Sequence, residues 1–269
     1  HAFTCEPFHN LVQHNVIEED AVSFKFRRDP AESKFDFFAS EDRWCRPVMA
    51  RTGPDGALWI VDMYRYMIEH PQWLPQKGKD ELRPWYRSGE DRGRIYRVVR
   101  NDAPSRKVVR PADLSAQQLV AALESPNGWQ RDTAQRLLVG GNQRAAIGQL
   151  KELATNSKQP LARLHALWTL EGLGALPAAA LQAALKDRHS GVRRNAVRIA
   201  AGTKIDVSCL EPLVNDPDSK VRLELATTLG QYDSPQASAA IARVAIGSSE
   251  DRYLLAAAMS SLNPRNVSD

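Results

Sequence analysis

Asp62, Arg65, Glu69 and His70 fall within nine residues, directly after the apolar run Ala57-Leu58-Trp59-Ile60-Val61. A histidine titrates near neutral pH and suits proton transfer. An arginine stays charged, and its forked donors suit an anion. Loops at strand ends carry function more often than strand interiors do. On this reading His70 is the candidate base, Arg46 and Arg65 are the candidate anion contacts, and Asp62 orients Arg65. The competing reading is that Asp62, Arg65 and Glu69 brace the loop through charge-assisted hydrogen bonds. Residue types leave both open.

The other reactive side chains point less clearly. Of three cysteines, none belongs to a Cys-x-x-Cys pair, so this stretch has no covalent haem attachment motif. Cys209 reads as a small buried apolar residue on a repeat helix. Cys5 and Cys45 both fall in strand-like segments. In an exported protein they are expected on adjacent strands of one sheet, within disulfide reach; two separate buried thiols are the alternative. His9 and His14 would face opposite sides of one strand and share no metal, and no other metal-ligand set stands out. His165 belongs on a helix surface or between repeats. Walker, Gly-x-Gly-x-x-Gly, Gly-x-Ser-x-Gly and His-Glu-x-x-His patterns are absent.

Two kinds of sequence hold these residues. All seven Phe lie at or before Phe38, whereas Ala and Leu dominate beyond residue 112. Aromatic and β-branched residues suit strands, Ala and Leu suit helices. Strands are expected at 2–5, 10–17, 22–28, 35–40, 46–52, 57–61 and 94–99. Val22, Phe24 and Phe26 alternate with Ser23, Lys25 and Arg27, the period of a half-buried strand. Gly53-Pro54-Asp55-Gly56 is a tight turn, and Ala57–Val61, apolar on both faces, should be a central covered strand. A sandwich, a barrel or a propeller fits this pattern. A propeller needs four strands per blade, so this stretch would hold only its C-terminal blades, an incomplete ring.

The second half repeats. The segments WQRDTAQRLL, LARLHALWTL, VRRNAVRIAA, VRLELATTLG and DRYLLAAAMS each place an Arg three residues before an Ala or Leu. Steps from Arg131 through Arg163, Arg193 and Arg222 to Arg252 are 32, 30, 29 and 30 residues. That period predicts an α-solenoid of about five helix pairs resembling HEAT repeats, with Val-Arg-x-x-Ala cores at Val192 and Val221. Such arrays usually dock protein partners. The expected division is a β region over 1–101, a linker over 102–111, the solenoid over 112–263 and a tail over 264–269. Pro104 and Pro111 stiffen that short linker, which is expected to hold the solenoid against the β region.

The net charge is +4, with Lys and Arg interspersed among Asp and Glu, so no basic stripe marks a nucleic-acid surface. No apolar run reaches the roughly 18 residues of a membrane span. The chain opens at His1 and reads as a piece of a longer protein, so missing targeting signals say nothing about destination.

The strings AFTCEPFHNLVQ, SEDRWCRPV, GPDGALWIVDMYR, IEHPQWLP and DRGRIYRV resemble a bacterial family known as membrane-bound dehydrogenases. The resemblance covers residues 1 to about 100, with the HEAT-like array following in the same order. Such proteins are similar to soluble quinoprotein glucose and sorbosone dehydrogenases. The resemblance implies a six-bladed propeller, export to the periplasm or cell envelope, and oxidation of a sugar or alcohol. It implies pyrroloquinoline quinone and calcium in the parent propeller, and electrons passed to a haem c module outside this chain. In that setting His70 would take the substrate hydroxyl proton, while Arg46 and Arg65 would meet the reduced, anionic cofactor. The alternative is a non-catalytic carbohydrate- or protein-binding propeller with a docking solenoid.

Overall fold

The computed structural model describes residues 1–68, 70–102, 108, 110–203 and 205–264. Glu69 and most of the expected linker lie outside them. The chain divides into a β-rich unit, residues 1–19 and 24–108, and a helical unit, residues 20–23 and 109–269.

Among the described residues the β unit has two antiparallel sheets, and neither closes into a barrel. In the first, β2 (Leu11–Asp20) lies between β1 (Ala2–Glu6) and β3 (Ser23–Arg28), and the short β4 (Phe38–Ala39) also pairs with β2. The second is a meander of β5 (Pro47–Thr52), β6 (Leu58–Asp62) and β7 (Arg94–Val98). These are the expected strands to within a few residues, but β3 is not half-buried as its alternation implied, because Phe24 and Phe26 are both exposed. The covered strand is a partial correction. β6 is central, but Ile60 and Asp62 bury one face while Leu58, Trp59 and Val61 stay half-buried. The polar stretch between β6 and β7, which carried no expected element, forms a short helix, α1 (Gln76–Leu82).

Among the described residues the helical unit contains the five expected pairs, one of them altered. They are α2 (Ala116–Ala122) with α3 (Gly128–Gly140), α4 (Ile147–Asn156) with α5 (Pro160–Gly172), and α6 (Ala178–Ala184) with α7 (Ser190–Thr203). Then α8 (Ser219–Leu229) follows two 3₁₀ turns, and α9 (Pro235–Ile246) pairs with α10 (Arg252–Ser260). The 3₁₀ turns, Val207–Cys209 and Glu211–Asn215, stand where the fourth pair needs its first helix. Pro212 has no N–H to give an α-helix spanning both turns, so the segment breaks in front of it.

Each pair buries its apolar stripe against neighbouring pairs. Ala134, Ala166, Ala196 and Leu225, each three residues after the repeat Arg, are fully buried. The fifth segment departs from the expected register, because Leu254 is buried and Leu255 is exposed. Asp251, not Arg252, therefore occupies the repeat position, and its carboxylate caps α10 through the N–H groups of Tyr253 and Leu254.

The repeat arginines have one shared bond. Nη1 of Arg131, Arg163, Arg193 and Arg222 donates to the carbonyl six residues earlier, at Ser125, Ser157, Asp187 and Asp216. Two of them also fork onto the next turn. Arg163 holds the Asp187 carboxylate, and Arg193 that of Asp216, by paired bonds of 2.7 Å. Burial alone would raise the Asp187 pKa; the Arg163 bond holds it below the usual carboxylate range.

Candidate functional site

The expected cluster forms around the end of β6. Asp62 is 1 % exposed. Its Oδ1 accepts the backbone N–H of Arg46 at 2.7 Å and of Tyr64 at 2.8 Å. Its Oδ2 accepts from the Tyr96 hydroxyl at 3.4 Å and faces Arg94 Nε at 3.5 Å. Sheet register sets Arg94 on β7 directly opposite Asp62. The charge partner of Asp62 is therefore Arg94 rather than Arg65. The Arg94 guanidinium also covers the Tyr64 ring, 3.7 Å from its centroid. Tyr64 has φ +52°, a left-handed conformation costly for a bulky residue, which the Asp62 bond to its N–H helps hold.

Arg46 and Arg65 both come to this region, and both bind backbone. Arg46 donates from Nε to the Arg65 carbonyl at 3.0 Å and from Nη2 to that of Tyr66 at 2.9 Å. Its Nη1 reaches the carbonyl of Pro7 at 2.9 Å and lies 3.4 Å from that of Phe8. One guanidinium thus pins the turn after β1 to the loop after β6. Nη1 of Arg65 contacts the carbonyls of Met63 and Tyr64 at 3.1 Å and donates to that of Gly89 at 2.7 Å. Gly89 has φ +91°, and a Cβ there would stand 2.5 Å from the Tyr64 carbonyl oxygen, so glycine alone permits this approach. A row of rings, Trp44 to Tyr66 at 5.6 Å and Tyr66 to Trp85 at 5.4 Å, packs the same loops.

His70 stands apart. It is exposed, and its Nδ1 lies 3.4 Å from the Gln72 N–H. Among the described residues no hydrogen bond joins its ring to Asp62, Arg46 or Arg65.

Cys5 and Cys45 are free thiols, a correction to the disulfide expectation. Cys5 is on β1 of the first sheet, whereas Cys45 precedes β5 of the second. Cys45 is buried, and desolvation, reinforced by the Asp62 carboxylate, pushes its pKa up to about 11. It is a neutral packing group beside Asp62.

A second buried carboxylate, Asp55, escaped the sequence reading. Its Oδ1 accepts the Ala57 N–H and the Trp59 indole N–H, both at 3.1 Å, and its Oδ2 pairs with Arg97 of β7. Burial opposes ionisation, yet the Arg97 and Trp59 bonds hold the pKa at about 2. The indole of Trp59 lies where any Cβ on Gly53 would fall, so the Gly-Pro-Asp-Gly turn is shaped to its strand. The sequence signal was the Asp of that turn, two residues before the strand.

Arg46, with all three guanidinium nitrogens on carbonyls, and Asp62, with both oxygens engaged, do not fit a bound quinone or calcium ion. The expected anion contacts donate to carbonyls, and both oxygens of Asp62 are engaged inside the sheet. Among the described residues no three His, Cys, Asp or Glu side chains gather as a metal site. No described helix is long and apolar enough to cross a membrane.

No curated protein matches the chain. Residues 1–102, nearly the whole β unit, match a domain of unknown function, DUF7133. Neither this match nor the second carries a dehydrogenase assignment. Residues 177–263, from α6 to beyond α10, match the HEAT-repeat family, and the helical unit is a HEAT-like solenoid.

Proposed function

We propose that this chain is a protein-docking scaffold whose HEAT-like array binds the partner and whose β unit is a non-catalytic body. The observation that carries this reading is the commitment of Arg46, Arg65 and Asp62 to backbone and sheet partners. Arg46 has Nε, Nη1 and Nη2 all on carbonyls, Arg65 holds three carbonyls through Nη1, and both oxygens of Asp62 have partners. Stacked helix pairs, by contrast, offer extended surfaces suited to protein partners. The test is to identify a crosslinked partner, purify it, and titrate it against this chain by calorimetry. Saturable one-to-one binding is expected. Sugar- or alcohol-dependent dye reduction by the full-length protein, dependent on added quinone and calcium, would overturn the non-catalytic part.

The second reading, an exported sugar or alcohol oxidoreductase with a quinone in its propeller, keeps one residue in its favour. His70 is exposed and is held by no charged partner among the described residues. If that reading holds, His70→Ala abolishes turnover in the full-length protein without loss of folding; retained turnover removes His70 as the base.

A further inference from the structure

Helix α10 is apolar on two opposite sides. It packs on α8 and α9, and Leu254, Ala257, Ala258 and the following Ser261 are buried there. The Ser261 hydroxyl fixes that side by donating to the Ala226 carbonyl of α8 at 2.8 Å. Arg252, Leu255, Ala256 and Met259 are exposed. Spaced i, i+3, i+4 and i+7, they share one face, turned away from the buried one. Met259 is 57 % exposed and Leu255 37 %, so the face is apolar surface in contact with water. Arg252 is the one charged residue of α10, and it lies against the Tyr253 ring with Nη2 on its hydroxyl at 2.7 Å. A surface helix ordinarily sets its charges opposite the buried stripe, and the last repeat of a solenoid ordinarily carries a polar outer face. α10 does neither. Within the array α3 stacks on α5, α5 on α7, α7 on α8 and α8 on α10. The exposed side of α10 continues that series of helix-on-helix contacts.

We propose that this face is a self-association surface, on which a second copy of the chain packs its own α10 antiparallel across a two-fold axis. The order of residues along the face suits that symmetry. An axis between Leu255 and Ala256 sets Leu255 against Ala256 of the second copy, large against small. The same axis sets Arg252 against Met259 of the second copy. The Arg252 stem then covers the Met259 side chain while its charged head stays wet. That head comes beside the carbonyl end of the other helix, where a cation is favoured. The two Arg252 charges stand at opposite ends of the contact and do not meet. An isologous interface requires this kind of self-complementarity. The contact is one short helix wide, so it belongs to the small, weak class, with a dissociation constant expected at about 100 µM.

The test is sedimentation equilibrium of the whole chain, from about 10 µM to about 1 mM, which brackets that constant. Met259→Arg sets Arg against Arg252 of the second copy. Combining it with Arg252→Glu restores an opposite-charge pair at each end. Both side chains are exposed, so the fold is kept, and circular dichroism checks that it is. Expected is a reversible monomer–dimer equilibrium, weakened at least about tenfold by Met259→Arg, since like charges brought together are costly. The double variant should recover the native strength or exceed it. A chain that stays monomeric throughout, or a Met259→Arg variant that associates unchanged, overturns the proposal. Failure of the double variant to recover overturns the antiparallel pairing and with it the proposal. A monomeric chain leaves the docking reading standing, because that reading is judged by titration of its own partner.

Discussion

Arg193 grips Asp216 with two parallel bonds, Nε to Oδ2 and Nη2 to Oδ1, each 2.7 Å, across the joint between the third and fourth repeats. Both side chains are largely buried, and the third nitrogen reaches back to the Asp187 carbonyl. A desolvated charge left without its partner is far more costly than the pair is stabilising. Asp216→Ala is therefore expected to cost about 3–5 kcal/mol, read by urea denaturation followed by circular dichroism. A loss below about 1 kcal/mol would place the pair in the class of exposed bridges and contradict the buried joint.

The first joint lacks this fork. Ser157 stands six residues before Arg163, where Asp187 and Asp216 precede Arg193 and Arg222. Arg131, which would reach across to it, has a buried Nε without a hydrogen-bond partner. The Ser157 hydroxyl donates instead to Glu124 at 2.7 Å. Ser157→Asp combined with Glu124→Gln should supply the missing carboxylate without placing two like charges together. The double variant is expected to melt several degrees higher, since a buried charge-assisted bond contributes about 1.5–3 kcal/mol. A lower melting temperature would show that Arg131 does not share the geometry of Arg163 and Arg193.

Cys45 should behave as an inert thiol. With its pKa pushed up to about 11 by burial and by Asp62, almost none is thiolate at pH 8. Iodoacetamide at that pH should leave Cys45 unlabelled in the native protein and label it in guanidinium. Mass spectrometry without reductant should show three free cysteines. A mass two units lower, with Cys5 and Cys45 in one linked peptide, would restore the disulfide.

The strands and repeats were legible because their periods are written in side chains: the alternation around Phe24, which marks a strand although Phe24 and Phe26 are both exposed, and the 29–32-residue recurrence of Arg three places before an Ala or Leu. The fifth repeat breaks the pattern because Arg252 lies one place beyond the position that Asp251 occupies, so the spacing of Arg alone puts its register one residue off. Pro212 did signal a break, but a count of pairs conceals it. At the candidate site the residues were found and their work was not. Arg46 and Arg65 bind carbonyls, and every residue has a carbonyl, so no pattern of types reveals which ones they meet. Asp55 and Arg97 lie 42 positions apart, and only the register of β6 against β7 joins them.

That last pair sets an acid limit for the β unit. The Asp55 carboxyl titrates at about 2 in the fold, because Arg97, Trp59 and Ala57 all bond to its ionised form against the cost of burial. Unfolded, it would titrate near 3.9. A depressed native value means the unfolded state takes up the proton first, so the stabilisation is complete above about pH 4 and fades as pH falls through 2. Asp187, also held low, works in the same direction in the helical unit. Trp59 reports on Asp55 directly through its indole bond, so its environment should change as that carboxyl protonates. Urea titrations of the β unit, read by tryptophan fluorescence, should show stability declining below about pH 4. Asp55→Asn, which cannot ionise, should be less stable at pH 7 and should lose less than the native chain between pH 4 and 2. If the two chains lose stability in parallel over that interval, Asp55 is not the group whose protonation loosens the β unit.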